Sequence, residues 1–264
     1  MSTPTSILIT GASSGIGEAL AHAYARAGVH LALSGRNAER LESVAASCRA
    51  MGATVEARVL DVTERPAMDA WVRGADTTHP LDLVIANAGI SAGTGGAGET
   101  ADQAHTIFAV NLDGVLNTAL PAIDIMRARS RGQIALVSSV AAFLPLAGTP
   151  SYAASKAAVK HWGDSQRPAL AREGICLSVI CPGFVESAMT ATNPFPMPFM
   201  MTAEKAARII TKGLAQNKGR IIFPLPMTLL VSALSALPTG LLAQFLARAP
   251  KKPALESINS KKKD

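Results

Sequence analysis

The rhythm of apolar residues constrains this chain most. Short apolar runs at Ser6–Thr10, Val29–Ser34, Thr54–Leu60, Leu81–Ala86, Gln133–Ser138, Cys176–Cys181 and Arg220–Phe223 alternate with longer, Ala-rich amphipathic stretches. Those stretches cover 15–27, 38–51, 64–75, 101–129, 152–172 and 203–217. Most of the runs are continuously hydrophobic, as strands covered on both faces of a parallel sheet are. Repeated strand–helix units with right-handed crossovers give a doubly wound α/β sandwich. The units run unbroken from 5 to 223, so one domain over 1–226 is expected. In the segment 184–202, Pro194, Pro196 and Pro198 exclude regular helix or central strand. A helical extension is expected over 227–248 and a disordered basic tail over 249–264.

Composition removes several classes. At 264 residues and 48% hydrophobic, the chain is long and apolar enough to bury a sizeable core, so it is not an intrinsically disordered protein. Cys48, Cys176 and Cys181 are too few and too scattered for a disulfide framework or a zinc site; the odd count fits a reducing compartment, and Cys48 and Cys181 read as packing residues. Five scattered histidines show no metal-ligand spacing, so no metal is expected. The net charge of +6 is half accounted for by the tail, where five lysines face Glu256 and Asp264. A short tail is not a groove-reading surface, and no nucleic-acid partner is expected. Met1 to Ser6 lacks a basic region and Ile7-Leu8-Ile9 soon meets Gly11, so the reading is cytoplasmic, with no secretory leader.

The first strand runs into Thr10-Gly11-Ala12-Ser13-Ser14-Gly15-Ile16-Gly17 and then a helix. Glycines there let backbone approach a pyrophosphate, and the helix N-terminus offers free N–H groups. The spacing differs from Gly-x-Gly-x-x-Gly, and the turn lacks the Gly-Lys-Ser/Thr ending of a nucleoside triphosphatase loop. About 20 residues on, a dinucleotide fold places an acid for an NAD ribose or an arginine for a 2′-phosphate. Here Arg36 follows Gly35, and no Asp or Glu lies between Glu18 and Glu39. The expected cofactor is NADP(H), with NAD(H) left open.

Tyr152 and Lys156 lie four residues apart, on one face of a predicted helix. A lysine charge close to a phenol favours phenolate and moves its pKa toward the working range. Ser139, ending the fifth strand, can hydrogen-bond a substrate oxygen beside that tyrosine.

Thr10–Gly17, Asn87-Ala88-Gly89, Asn111, Ser139, Tyr152–Lys156 and Pro182-Gly183, in that order, resemble the short-chain dehydrogenase/reductase superfamily over residues 5 to 223. The resemblance implies a Rossmann-like sheet of seven parallel strands, a nicotinamide cofactor and a catalytic tetrad of Asn111, Ser139, Tyr152 and Lys156. Tyr152 would exchange the proton, Lys156 would lower its pKa and hold the nicotinamide ribose, Ser139 would position the carbonyl, and Asn111 would hold a relay water. The cofactor would contact Gly11, Ser13, Ser14, Gly15, Ile16 and Gly17, then Asp61 and Val62 at the adenine. Asn87, Ala88 and Gly89 would form its floor, and Pro182, Gly183 and Ser187 would lie near the nicotinamide. The family's usual homodimer or homotetramer is implied too.

Carbonyl reduction by NADPH is therefore the leading expectation. Alcohol oxidation on the same residues is the alternative, and a non-catalytic cofactor-binding scaffold ranks lower because all four tetrad positions are filled. Phe184 and Met189, in a loop rich in Phe and Met, point to a lipophilic ketone or aldehyde. Residues 221–247 carry no charge, but Pro224, Pro226, Pro238 and Gly240 cut them into pieces shorter than the roughly 20 residues that span a bilayer. They read as an interfacial anchor over 227–252, with Arg248, Lys251, Lys252 and Lys261–Lys263 facing anionic headgroups, or as a face covered by a sister subunit.

Overall fold

The computed structural model describes residues 3–96, 98–238, 240–242 and 252–254. Strands β1 (Ser6–Thr10), β2 (His30–Gly35), β3 (Thr54–Val59), β4 (Leu83–Ala86), β5 (Gly132–Val137), β6 (Ile175–Pro182) and β7 (Arg220–Phe223) form one seven-stranded parallel sheet in the order β3-β2-β1-β4-β5-β6-β7. Alternate residues of each central strand feed opposite cores. Ile7, Ile9, Leu31, Leu33 and Ile85 join one; Leu8, Ala32, Val84, Ala86 and Leu136 join the other. Each is fully or almost fully buried, which is why these runs lack polar alternation. The exception is β3. It is an edge strand, half-exposed along its length, and it carries Glu56 and Arg58.

Helices α1 (Gly15–Tyr24), α2 (Ala38–Ala50) and α7 (Ala203–Ala215) cover the first core, and α3 (Arg65–Thr78), α5 (Gly114–Ala128) and α6 (Pro150–Arg172) the second. Gly52 and Gly174, at φ +94° and +79°, follow α2 and α6 as expected of stop residues. Helix α1 ends earlier than its sequence pattern predicts, at Tyr24, and Ala23 and Ala27 face solvent. The strand order reverses between β1 and β4, so the crevice beyond their C-terminal ends is where a ligand sits in such sheets.

The stretch expected as one helix over 101–129 is broken. Helix α4 (Ala101–Phe108) passes through a π-helical turn at Ala109–Asp113 before α5 begins. Such a turn inserts one extra residue per turn and re-aims its side chains, often at a functional site.

The apolar extension contains α8 (Leu225–Ser235), which buries Met227 and Val231 but exposes Leu225, Leu229 and Leu230. The basic tail is not free throughout. Lys252 is buried, and the backbone of Lys252 and Pro253 pairs with the glycine loop at 93–95. Lys252 therefore does not face a headgroup; Arg248, Lys251 and Lys261–Lys263 lie outside the described residues.

Candidate active site

The glycine turn after β1 has the conformation an anion needs. Gly11 and Gly15 have φ of +65° and +58°, where a side chain would be strained. A Cβ on Gly17 would strike Gly11 O and the Asn87 side chain. The Ser14 hydroxyl makes no capping bond to α1, whereas Asn37, Thr100 and Thr202 cap α2, α4 and α7. The first-turn amides of α1, including those of Ile16 and Gly17, thus keep donors for a phosphate. Gly15 also lies under Ser187, whose Cβ would be 2.9 Å from an added methyl. A cleft of about 330 Å³ opens there, lined by Ser14, Gly15, Glu18, Glu186 and Ser187. These residues fit a dinucleotide's pyrophosphate.

Asn87 ties the two central strand ends together, donating from Nδ2 to Thr10 O at 3.0 Å and Gly11 O at 3.2 Å. Thr10 Oγ1 accepts from the Asn87 and Ala88 amides at 3.1 and 3.2 Å. At the end of β2, Gly35 packs against Ser13, and Arg36 follows with its side chain 64% exposed and 3.9 Å from Asp61. Asp61 accepts from the Thr63 amide and hydroxyl at 2.9 and 2.8 Å, and Val62, beside it, is buried against Gly114.

The four tetrad residues converge. Lys156 is buried on α6 and donates from Nζ to Val137 O at 2.9 Å. Its helix is held by Ser138, whose hydroxyl donates to Lys156 O at 2.7 Å. An added Cβ on Gly89 would sit 3.2 Å from both Lys156 Nζ and Asn111 Oδ1, so glycine lets the two side chains approach across that floor. Asn111, carried in by the π turn, bonds Ile90 on both backbone groups, at 2.8 Å through Oδ1 and 2.9 Å through Nδ2. Ser139 Oγ accepts from Ala141 N–H at 3.1 Å and lies 3.5 Å from Pro182 O. Gly183 N–H donates to Phe223 O at 2.7 Å.

Burial raises the Tyr152 phenol above its ordinary 10.0, and a hydrogen bond with Ser139 pulls part of the way back. Burial lowers Lys156 to about 8. The expected lowering of the phenol by its neighbouring ammonium is not what these side chains show. Lys156 is turned to Val137 O, and desolvation dominates the phenol. Ser138, Ser155 and Thr10 also position the site; Thr10 and Ser155 lie inside the motifs without a role read for them, and Ser138 is only adjacent to Ser139. Cys181 is buried with its thiol raised to about 11, consistent with packing rather than nucleophilic chemistry.

The loop between β6 and α7 is pinned at its base, where Val185 pairs with Met201. Phe184 and Phe195 meet edge to face at 6.4 Å, Met189 is half-buried, and Phe199 and Met200 are exposed.

Residues 5–195 match the short chain dehydrogenase family. An uncharacterized oxidoreductase of Myxococcus xanthus is 37% identical over 89% of this chain and 93% of its own length. One of Mycobacterium tuberculosis is 34% identical over 92% of this chain and 98% of its own. A short-chain dehydrogenase from Sphingobium yanoikuyae, solved in complex with NADPH, superposes with a TM-score of 0.78 at 25% identity, covering 96% of this chain and 99% of that one. A Burkholderia phymatum enzyme solved with NAD shares the fold at a TM-score of 0.79 and 24% identity, over 94% and 97% of the two chains. With the glycine turn, the buried lysine and the π-turn asparagine in place, the chain belongs to the short-chain dehydrogenase family of NAD(P)-dependent oxidoreductases.

Proposed function

We propose that the protein reduces a lipophilic ketone or aldehyde to its alcohol with NADPH, Tyr152 giving the proton. The pairing of the Tyr152 phenol with Ser139, beside the buried Lys156, carries this reading. A phenol held above 10 by burial keeps its proton at neutral pH, as a donor to a developing alkoxide must. Alcohol oxidation on the same residues needs the phenolate first, and it is the second reading. The cofactor, when bound, supplies the hydride. Ser139 holds the carbonyl oxygen beside the phenol, Asn111 ties α6 to the π turn through Ser155, and Lys156 adds positive charge behind both.

The preference for NADPH is supported by Arg36, an exposed guanidinium at the end of β2, next in sequence to the Gly35 that packs on Ser13. It can pair bidentately with a 2′-phosphate. Asp61, the acid within reach, is occupied by Thr63 and Arg36. The relatives solved with NADPH and with NAD each carry this fold. Support for a lipophilic substrate comes from Phe184, Met189 and Phe195 in the pinned loop.

The test is NADPH consumption against long-chain, steroid-like and polyol carbonyls. Turnover of the apolar compounds is expected, and turnover confined to polyols overturns the reading. The exposed leucines of α8 support contact with a second copy or with the cytoplasmic face of a membrane. Flotation with anionic vesicles, set beside the mass in solution, separates the two.

A further inference from the structure

The glycine loop at 93–95 and the segment Lys252–Ala254 form a unit that the tetrad does not use. Gly93 N–H donates to Pro253 O at 2.8 Å and Gly95 N–H to Lys252 O at 2.9 Å, so two backbone bonds strap the C-terminal segment along the loop. Glycine is required at 93 because a Cβ there would strike the Lys252 backbone. On its other side the loop is fixed to the catalytic scaffold. Gly93 O accepts from Gln103 Nε2 at 3.0 Å, and Thr94 N–H donates to Gly148 O at 3.0 Å, just ahead of α6.

The strap places a cation between two loops. Lys252 is only 6% exposed; its Nζ donates to Ser91 Oγ at 3.1 Å and lies 3.5 Å from Met189 O. Ser91 is two residues beyond Gly89, which faces Lys156 and Asn111, and two residues reach no more than about 7 Å. Met189 belongs to the loop after β6. The ammonium therefore bridges the loop after β4 and the loop after β6.

Its partners are chemically incomplete. Both are neutral oxygens, and among the described residues no carboxylate pairs with it. An ammonium has three donors, and a charge taken out of water without a counter-charge is costly. Burial lowers its pKa to about 8, which leaves it cationic at neutral pH. Such a group is complementary to an anion that arrives with a ligand.

We propose that Lys252 is a specificity-determining residue whose ammonium pairs with a carboxylate on the substrate, so that the substrate is an oxo acid with an apolar body. The substrate class rests on the carbonyl-reductase reading above; the anion site itself does not. The carboxylate replaces the missing counter-charge, and the apolar body lies along Phe184 and Met189.

Calorimetry on the full-length protein at pH 7, with decanoate and decanamide as probes, needs no turnover. Wild type should bind decanoate about tenfold or more tightly than the amide, the scale of one charge-assisted hydrogen bond. The ratio should fall to about one in Lys252→Met, which keeps the apolar stem, and should persist in Lys252→Arg. Gly93→Ala should lower it as well by displacing the strap. Wild type that binds the two probes equally, or does not bind decanoate at millimolar concentration, overturns the proposal whatever the variants do. A ratio retained in folded Lys252→Met overturns it too. If no carbonyl is ever reduced, the activity fails while this ratio still decides the anion site.

Discussion

Asn111 Nδ2 donates to the Ser155 hydroxyl at 3.1 Å, joining the π turn to the catalytic helix α6 across 44 residues of sequence. The same carboxamide bonds both backbone groups of Ile90, and Ser155 Oγ in turn donates to Tyr152 O at 2.8 Å. One side chain thus sets the cofactor floor against the helix that carries the phenol. Asn111→Ala should cost about 1–3 kcal/mol, because it strands the Ile90 groups. Ser155→Ala should cost about 1 kcal/mol. Urea midpoints check both, and a smaller loss in Asn111→Ala than in Ser155→Ala would contradict the linkage.

Tyr152→Phe removes one hydroxyl from the reaction and none from the glycine turn. The turnover number should fall about 10²- to 10⁴-fold, the usual contribution of a general acid. The NADPH dissociation constant, read by fluorescence titration, should stay within about threefold. A variant that keeps a tenth of its turnover would remove Tyr152 from the proton step.

Arg36→Asp exchanges a phosphate partner for a ribose-hydroxyl acceptor and places an acid beside Asp61. The kcat/KM for NADPH should drop by about 10- to 100-fold, the weight of a bidentate charged pair, while that for NADH changes far less. An unchanged preference would assign the 2′-phosphate to other groups.

Gly17→Ala drives a methyl into Gly11 O and Asn87. Overpacking of this kind costs about 1–3 kcal/mol, and here it also shifts the turn that would hold the pyrophosphate. A lowered Tm together with weakened binding of both dinucleotides is expected. A stable variant with normal binding would show that the turn tolerates the methyl.

His30 is buried at the far end of β2, its ring 4.1 Å from that of His79. Burial and then the His79 charge push its pKa below the ordinary 6.5, with Glu56 opposing. Because the folded pKa lies below the unfolded one, the neutral ring's contribution is complete above about pH 6.5 and is lost as pH falls through the folded value. Wild type should lose more Tm between pH 7 and 5 than His30→Phe, which keeps the stacked ring without the titration. Equal losses would place the acid sensitivity elsewhere.

Residue patterns alone determined the sheet and the nucleus of the site. A strand covered on both faces must be apolar throughout, a turn that admits phosphate must be glycine, and a phenol and ammonium one helical turn apart are visible as a spacing. These are local rules, so the five inner strands, the glycine turn and Tyr152 with Lys156 were legible. The π turn was not, because Ala101–Ala128 has the composition of one continuous helix. Only Ile90 and Ser155, brought in by the fold, give Asn111 a reason to turn inward. Nor was the high pKa of Tyr152 legible. The spacing to Lys156 suggests a lowered value, whereas the folded chain desolvates the phenol and directs the ammonium to Val137. Lys252 shows the same division most sharply. In the sequence it is one lysine in a basic tail. Tertiary structure makes it a buried cation, because the glycine loop it pairs with lies more than 150 positions away, and no local period records contacts over that separation.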